Sequence, residues 1–171
     1  MYRKSAKPKS GSLLATRVSW DDLTLPLAEL TELKQLGERL AATGKRTRAS
    51  LYGPNPWAAA RLLFWGPAGM GKILAAQLIA NELDLAVWRL PSAALAERRI
   101  GETEKNLDRV FDRAGQRGWI LFFDEADALF GKRSGVRPHS NRYANQEISY
   151  LLRRAESYRG IVILSTQTKP R

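Results

Sequence analysis

The chain has 171 residues, about the length of one domain and enough to bury a hydrophobic core. It contains no cysteine, which excludes disulfides, zinc-thiolate sites and cysteine nucleophiles, and no apolar run approaches the ~20 residues that span a bilayer. Its 28 Lys and Arg against 17 Asp and Glu give a formal charge of +11, which favours contact with nucleic acid, an acidic protein or nucleotide phosphates, although a solvated basic surface gives the same balance.

The first 18 residues are predicted to form a basic, flexible tail, and residues 19–171 to form one folded unit. The tail carries basic side chains and no acid, a composition that does not favour a packed core. It lacks the long apolar stretch of a secretory signal. We therefore expect ordered structure from Trp20-Asp21-Asp22-Leu23 onward, a cytoplasmic location and no contact with a membrane.

Apolar periodicity predicts the first helix of the folded unit. The helix begins near Pro26, which suits a first helical turn, and its apolar stripe recurs every three to four residues. The stripe comprises Leu30, Leu33, Leu36 and Leu40. The stretch from Thr43 to Trp57 is basic and rich in Gly and Pro, which is typical of a loop.

Strands and helices are predicted to alternate after that loop. Apolar runs of strand length stand at Leu62–Trp65, Leu85–Leu90, Ile120–Phe123 and Ile161–Leu164. Helices are predicted at Lys72–Leu83, on the stripe Leu107, Val110, Phe111 and Ala114, and on the stripe Ile148, Leu151, Leu152 and Ala155. The run Ile120–Phe123 does not alternate between apolar and polar residues, as expected of a strand covered on both faces. The alternation predicts an α/β fold with a parallel sheet and right-handed crossovers.

A glycine-rich loop with P-loop spacing follows the first of these strands. The predicted nucleotide-binding residues are Gly66, Pro67, Ala68, Gly69, Met70, Gly71, Lys72, Ile73 and Leu74. The glycines let backbone amides cradle phosphate oxygens, the helix N-terminus adds partial positive charge, and Lys72 reaches the outer phosphates. A plain strand-to-helix connection can carry similar residues. The strand before the loop and the helix after it are the context that a P-loop requires.

Position 73 departs from the P-loop pattern, which has Ser or Thr there. That hydroxyl ligates Mg²⁺, and the side chain of Ile73 has no ligand atom. Because Mg²⁺ keeps several waters in such sites, a water molecule is one way to fill the position. Nucleotide binding is therefore expected to survive the change better than hydrolysis.

Two adjacent carboxylates, Asp124 and Glu125, end the apolar third strand. Ligands of open α/β sheets bind at the carboxyl ends of the strands. Asp124 is predicted to hold Mg²⁺, directly or through water, and Glu125 to activate the water that attacks the terminal phosphoryl group. A helix N-cap followed by an acid is the alternative explanation of the same pair.

Together, the P-loop, the Asp124-Glu125 strand end and the segment Ile100–Leu107 resemble AAA+ ATPases that remodel substrates. The stretches Glu125–Arg133 and Asn141–Asn145 are similar to a bacterial subgroup of this family, and the resemblance covers roughly residues 19–169. It implies a P-loop NTPase fold, a three-layer sandwich whose parallel sheet has the strand order 5-1-4-3-2, followed by a helical lid. It also implies hexameric rings with ATP bound between subunits.

The resemblance also assigns roles to single positions. Gln167 stands near the end of the fourth strand, where the family usually has an Asn that helps to align the attacking water. Arg99 stands where the family's pore loop has an aromatic residue that grips a polypeptide. The chain ends at Arg171, before the arginine finger, fifth strand, lid and second sensor, so Arg61–Trp65 is expected to be an edge strand.

Basic residues cluster in two segments that the resemblance directs toward a central pore. They are Arg98 and Arg99 in the first segment, and Lys132, Arg133, Arg137 and Arg142 in the second. Arginines there would track a phosphate backbone or an acidic polypeptide. Solvated loop charge is the alternative.

The sequence thus predicts an ATP-binding module with Mg²⁺ as its metal, an incomplete AAA+ core that couples hydrolysis to macromolecular remodelling. Because of Ile73 and the missing finger, we expect turnover by this chain alone to be weak or dependent on a partner. The expected partners are ATP or ADP, other subunits of a homo- or hetero-oligomeric ring, and a nucleic acid or acidic protein. The alternative is a nucleotide-binding subunit that does not hydrolyse ATP, or a nucleic-acid-binding or regulatory protein.

Overall fold

The computed structural model describes residues 11–14, 17–48, 60–91, 102–126, 149–167 and 169. The strands in these ranges are β1 (Ser12–Leu13), β2 (Arg61–Trp65), β3 (Val87–Pro91), β4 (Ile120–Asp124) and β5 (Val162–Thr166). The helices are a short 3₁₀ turn (Trp20–Asp22), α1 (Leu27–Arg48), α2 (Lys72–Leu83), α3 (Glu102–Arg117) and α4, described over 149–157. No helix among the described residues combines the length and the apolar character that crossing a membrane requires.

The strands form one sheet in the order β1-β3-β4-β5-β2. The last four are parallel to one another, and their order agrees with the 1-4-3-2 part of the predicted arrangement. Within the described residues β2 has a neighbour on one side only, as expected of an edge strand. The predicted α/β fold with a parallel sheet is confirmed.

Strand β1 is a feature that the sequence analysis did not predict. Ser12 and Leu13 were assigned to the flexible tail, yet they pair antiparallel with Arg89 and Trp88 of β3. The amide of Leu14 continues the pairing by donating to the carbonyl of Val87 at 2.9 Å. A strand of two residues has no measurable periodicity, and its stability comes from the exposed edge of β3 rather than from its own composition.

Helices cover both faces of the sheet. All five residues of β4 are buried, because Leu121 and Phe123 pack with α3 and α4 on one face while Ile120 and Phe122 pack with α2 on the other. The hydrophobic effect drives this arrangement, since an apolar strand without alternation has to be covered twice. The predicted three-layer sandwich is confirmed.

Two details of the predicted helices were wrong. Helix α1 continues to Arg48, although a loop was predicted from Thr43. The glycine at position 44 costs about 1 kcal/mol relative to alanine, but Lys and Arg are good helix formers and no proline interrupts the segment. On α4, Leu151 and Ala155 are buried as predicted, whereas Leu152 is 38% exposed. The remainder of the predicted loop and Ile148 lie outside the described residues.

Candidate nucleotide-binding site

The loop between β2 and α2 has the backbone of a phosphate-binding loop. Gly69 and Gly71 adopt φ angles of 80° and 78°, in the left-handed region that favours glycine. At Gly71, a Cβ atom would also stand 2.6 Å from Cδ1 of Leu23. Gly71 is the N-cap residue of α2, so the loop leads directly into the positive end of a helix.

Hydrogen bonds fix this loop to the sheet. The amide of Gly66 donates to the carbonyl of Thr166 at 3.2 Å, which joins the start of the loop to the end of β5. The ammonium group of Lys72 donates to the carbonyls of Gly66 and Pro67 at 2.6 and 2.8 Å. Lys72 is therefore held against the loop whose amides would face a phosphate group.

The carboxylate of Asp124 lies at the carboxyl end of β4 and meets side-chain donors from both neighbouring strands. Arg89 of β3 donates to its Oδ2 through Nε at 2.9 Å and Nη2 at 2.5 Å. The hydroxyl of Ser165 lies 3.4 Å from Oδ1. The ion pair is partly buried, since the side chain of Asp124 is 12% exposed and that of Arg89 is 37% exposed. Asp124 is thus held in place by both neighbouring strands.

Sequence reasoning missed Arg89. The available signal was a cation inside a predicted strand that is otherwise apolar, which needs an acid within reach on a neighbouring strand. Which acid it meets is a matter of register. Arg89 stands opposite Phe122, and Asp124 is two positions further along the same face of β4.

Glu125 turns the chain away from the sheet. Its φ angle of 55° lies in the left-handed region, where a residue with a side chain costs about 1–3 kcal/mol. The next amide, that of Ala126, donates to the carbonyl of Ser165 at 2.7 Å and holds the turn in place. The carboxylate of Glu125 is consequently exposed at the rim of the sheet.

These elements surround one cleft of about 380 Å³. It is lined by Ala68, Gly69, Gly71, Lys72, Ile73, Leu74, Gln77, Asp124, Glu125, Ser165 and Gln167. The structure therefore brings together the predicted loop, both acids and Gln167. The predicted residues Gly66, Pro67 and Met70 belong to the loop but do not line the cleft. Gln77 and Ser165 were missed. Gln77 is one helical turn beyond Ile73 on α2, and Ser165 lies on β5, two residues before Gln167, which directly follows that strand.

The residues present do not fit a magnesium site of the P-loop kind. Mg²⁺ demands oxygen ligands in near-octahedral geometry. Ile73 lines the cleft without a ligand atom and packs against the apolar cluster around α2. Oδ2 of Asp124 already accepts two guanidinium N–H groups. The role of Asp124 as a magnesium ligand stays a prediction.

The basic pore-directed segments predicted from the sequence lie outside the described residues. They contain Arg98, Arg99, Lys132, Arg133, Arg137 and Arg142.

The sequence model of the ATPase family associated with various cellular activities (AAA) matches residues 62–171. That range contains the loop, both acids, Gln167 and all residues of the four parallel strands apart from Arg61, which begins β2. The chain belongs to the AAA family of ATPases. This membership confirms the predicted family and an ATP-binding module. Assignment to the bacterial subgroup stays a prediction.

Relatives of this AAA module carry the same core within longer chains. The peroxisomal ATPase PEX6 of Arthrobotrys oligospora is 32% identical over 157 residues, covering 88% of this chain and 12% of the relative. Cell division protein C of Sulfolobus acidocaldarius is 32% identical over 114 residues, covering 61% of this chain and 30% of the relative. The module thus spans about a tenth of the length of PEX6 and under a third of cell division protein C.

A solved structure shares the fold of the AAA module. The crystal structure of the FIGL-1 AAA domain superposes with a TM-score of 0.65 at 19% sequence identity. The match covers 93% of this chain and 51% of that chain. The likeness supports the fold described above.

Proposed function

We propose that this AAA module binds ATP or ADP in the cleft between the phosphate loop and the ends of β4 and β5. The observation that supports this is the convergence of Lys72, Asp124 and Gln167 on one cleft from three separate parts of the chain. A cation and loop amides bind the phosphates of a nucleoside triphosphate, and polar side chains beside them can position the attacking water.

The loop amides and three side chains of the cleft have roles in this proposal. Lys72 and the loop amides bind the phosphate oxygens, because α2 presents its positive N-terminus there. Glu125 polarises the water that attacks the terminal phosphorus, since its carboxylate lies at the exposed rim. Gln167 orients that water from the end of β5. The reaction releases ADP and phosphate.

We further propose that hydrolysis by this chain alone is weak and depends on a partner. Ile73 supplies no hydroxyl, and Asp124 is engaged by Arg89. Oligomeric rings are common among AAA ATPases, and a neighbouring subunit would contribute to the site. In this proposal the assembly remodels a macromolecule in the cytoplasm, and the formal charge of +11 supports an acidic protein or a nucleic acid as its substrate.

A second candidate is a nucleotide-binding subunit that does not hydrolyse ATP. The Arg89–Asp124 ion pair favours it, because Arg89 neutralises the carboxylate that is predicted to hold Mg²⁺ and occupies its Oδ2. Such a subunit would respond to nucleotide and serve a partner ring.

Calorimetric titration of ATP and ADP into the purified chain tests the binding step. We expect Lys72→Met to weaken binding by about tenfold or more, equal to about 1.4 kcal/mol, because the phosphate loses its main cation. Lys105→Met is the matched control, since it removes an exposed lysine of α3 that does not line the cleft. Absence of heat from either nucleotide would contradict the proposal.

Phosphate release separates the two candidates. We expect turnover well below the ~1–10³ s⁻¹ of typical enzymes for the chain alone. Glu125→Gln should abolish whatever turnover remains if the chain is an ATPase. A rate that Glu125→Gln leaves unchanged would favour the subunit that binds without hydrolysis.

A further inference from the structure

We infer that Arg89 is a built-in counter-cation of Asp124 and that this chain consequently binds nucleotide without a divalent metal. The inference rests on the proposed nucleotide binding and concerns how the same cleft balances charge.

The first support is the position of Arg89 in the sheet. β3 and β4 are parallel neighbours, and Arg89 pairs with Phe122 while Pro91 pairs with Asp124. The side chain of Arg89 therefore starts two positions short of Asp124 on the same face and extends along the sheet to reach it. Two nitrogens of the guanidinium, Nε and Nη2, meet the single oxygen Oδ2 at 2.9 and 2.5 Å.

The second support is burial. A carboxylate that is 12% exposed has to be neutralised, because a buried charge without a partner is strongly unfavourable. Arginine supplies that charge permanently, since its guanidinium does not lose its proton in proteins. A metal ion bound to Oδ2 would have to displace both guanidinium contacts, and at either oxygen it would stand beside the permanent charge of Arg89.

The third support is Ile73, which belongs to a different element. It lines the cleft at the first turn of α2 and directs only carbon atoms toward it. Ile73 thus supplies no hydroxyl for a metal, and Arg89 on a separate element occupies one of the two oxygens of Asp124. Lys72, the loop amides and the N-terminus of α2 therefore compensate the negative charge of a bound phosphate.

The decisive measurement uses the unmodified chain. ATP is titrated calorimetrically in the presence of Mg²⁺ and again with EDTA. We expect the two dissociation constants to agree within about threefold. Binding that is tenfold or more tighter with Mg²⁺ (about 1.4 kcal/mol) would overturn the inference and leave the proposed function intact. Absence of binding in both buffers would overturn the proposed function and the inference together.

Variants of Arg89 test whether it is the counter-cation. In Arg89→Met the uncompensated Asp124 repels phosphate, so we expect binding in EDTA to fall by about tenfold and to recover with Mg²⁺. Arg89→Lys keeps a cation and should retain binding in EDTA. Arg117→Met is the matched control, because Arg117 ends α3 just before β4 begins, at the opposite end of the strand from Asp124.

A purely structural ion pair gives a different result. In that case Arg89→Met lowers the unfolding temperature, while the ratio of the two dissociation constants stays that of the unmodified chain. Equal affinity of Arg89→Met and the unmodified chain in EDTA would overturn the role of Arg89. If Arg89→Met does not fold, the inference is still tested by comparing the affinity for ATP with Mg²⁺ and with EDTA, in the unmodified chain and in Arg89→Lys.

Discussion

The phenolic hydroxyl of Tyr158 donates a hydrogen bond to the backbone carbonyl of Trp119 at 2.6 Å. Tyr158 precedes β5 and Trp119 precedes β4, so the bond joins the amino ends of the two central strands. Tyr158 is 6% exposed and meets Phe111 edge-on at 5.6 Å, and the indole of Trp119 stacks on that of Trp88 at 5.0 Å. This cluster anchors the end of the sheet opposite the nucleotide cleft.

Removal of that hydroxyl should lower stability without affecting the cleft. We expect Tyr158→Phe to reduce the free energy of unfolding by about 1–2 kcal/mol, because a partly buried carbonyl loses its donor. Urea unfolding measures the change, and ATP titration should give the affinity of the unmodified chain. An unchanged unfolding midpoint would show that the hydrogen bond contributes nothing net.

The same side chain predicts a loss of stability at alkaline pH. Burial raises the pKa of Tyr158 above its ordinary value, and nearby Arg61 opposes that rise only in part. Since the unfolded chain releases the phenolic proton near pH ~10, the stabilisation is complete below that pH and is lost as the pH rises above it. The pKa of Tyr150 is raised to about 12, first by its hydrogen bond to Asp108 and then by burial.

Urea unfolding from about pH 8 to about pH 11 tests this dependence. The free energy of unfolding of the unmodified chain should fall across the upper part of the range. Tyr158→Phe should show a shallower decline, the remainder coming from Tyr150. Parallel curves for the two proteins would contradict the assignment to Tyr158.

Restoring the hydroxyl at position 73 should not by itself restore hydrolysis. We expect Ile73→Thr to change the rate of phosphate release little, because Arg89 still engages Asp124. The double variant Ile73→Thr with Arg89→Met should raise that rate by more than the two single substitutions multiplied together. Steady-state phosphate release with Mg²⁺ is the measurement. Full activation by Ile73→Thr alone would show that the ion pair is no obstacle.

The glycine at the start of α2 should not tolerate a side chain. Gly71→Ala places a Cβ at a φ of 78° and within 2.6 Å of a methyl carbon of Leu23, so we expect a loss of about 1–3 kcal/mol and weaker nucleotide binding. Gly115→Ala is the matched control on α3, where the nearest atom to the added Cβ is 3.9 Å away. It should stabilise the chain by about 0.5–1 kcal/mol. Equal changes in the free energy of unfolding for the two substitutions would contradict the prediction that Gly71 is conformationally required.

The edge strand β2 should promote self-association. Leu63 and Trp65 are 43% and 54% exposed on a strand that has one described neighbour. We expect Leu63→Lys to lower light scattering at high protein concentration, because a charge on the edge opposes strand pairing. Leu27→Lys changes a leucine of α1 that is 79% exposed and should have little effect. A larger reduction of light scattering by Leu27→Lys would show that the chains associate through a surface other than β2.

Features with a local physical cause were predictable. The bounds Lys72–Leu83 of α2 follow from the loop that precedes it and from its apolar pattern, and the structure reproduces them. The burial of β4 on both faces follows from its uninterrupted apolar run. Assembly of the cleft followed from the rule that parallel strands direct their carboxyl ends to one edge.

Features that depend on register and tertiary pairing were not predictable. The two-residue strand β1 exists because β3 offers an open edge, and the left-handed turn at Glu125 is held by a bond from Ala126 to β5. Neither depends on a periodicity that a sequence displays.

By itself, the sequence determined the family, the layered fold and the meeting of the loop, the two acids and Gln167 at one cleft, because glycine spacing and apolar runs act within a few residues of the chain. Only the tertiary structure decided that Arg89 meets Asp124. That contact depends on how β3 and β4 align, and a strand's composition does not specify which acid on its neighbour a long cation will reach.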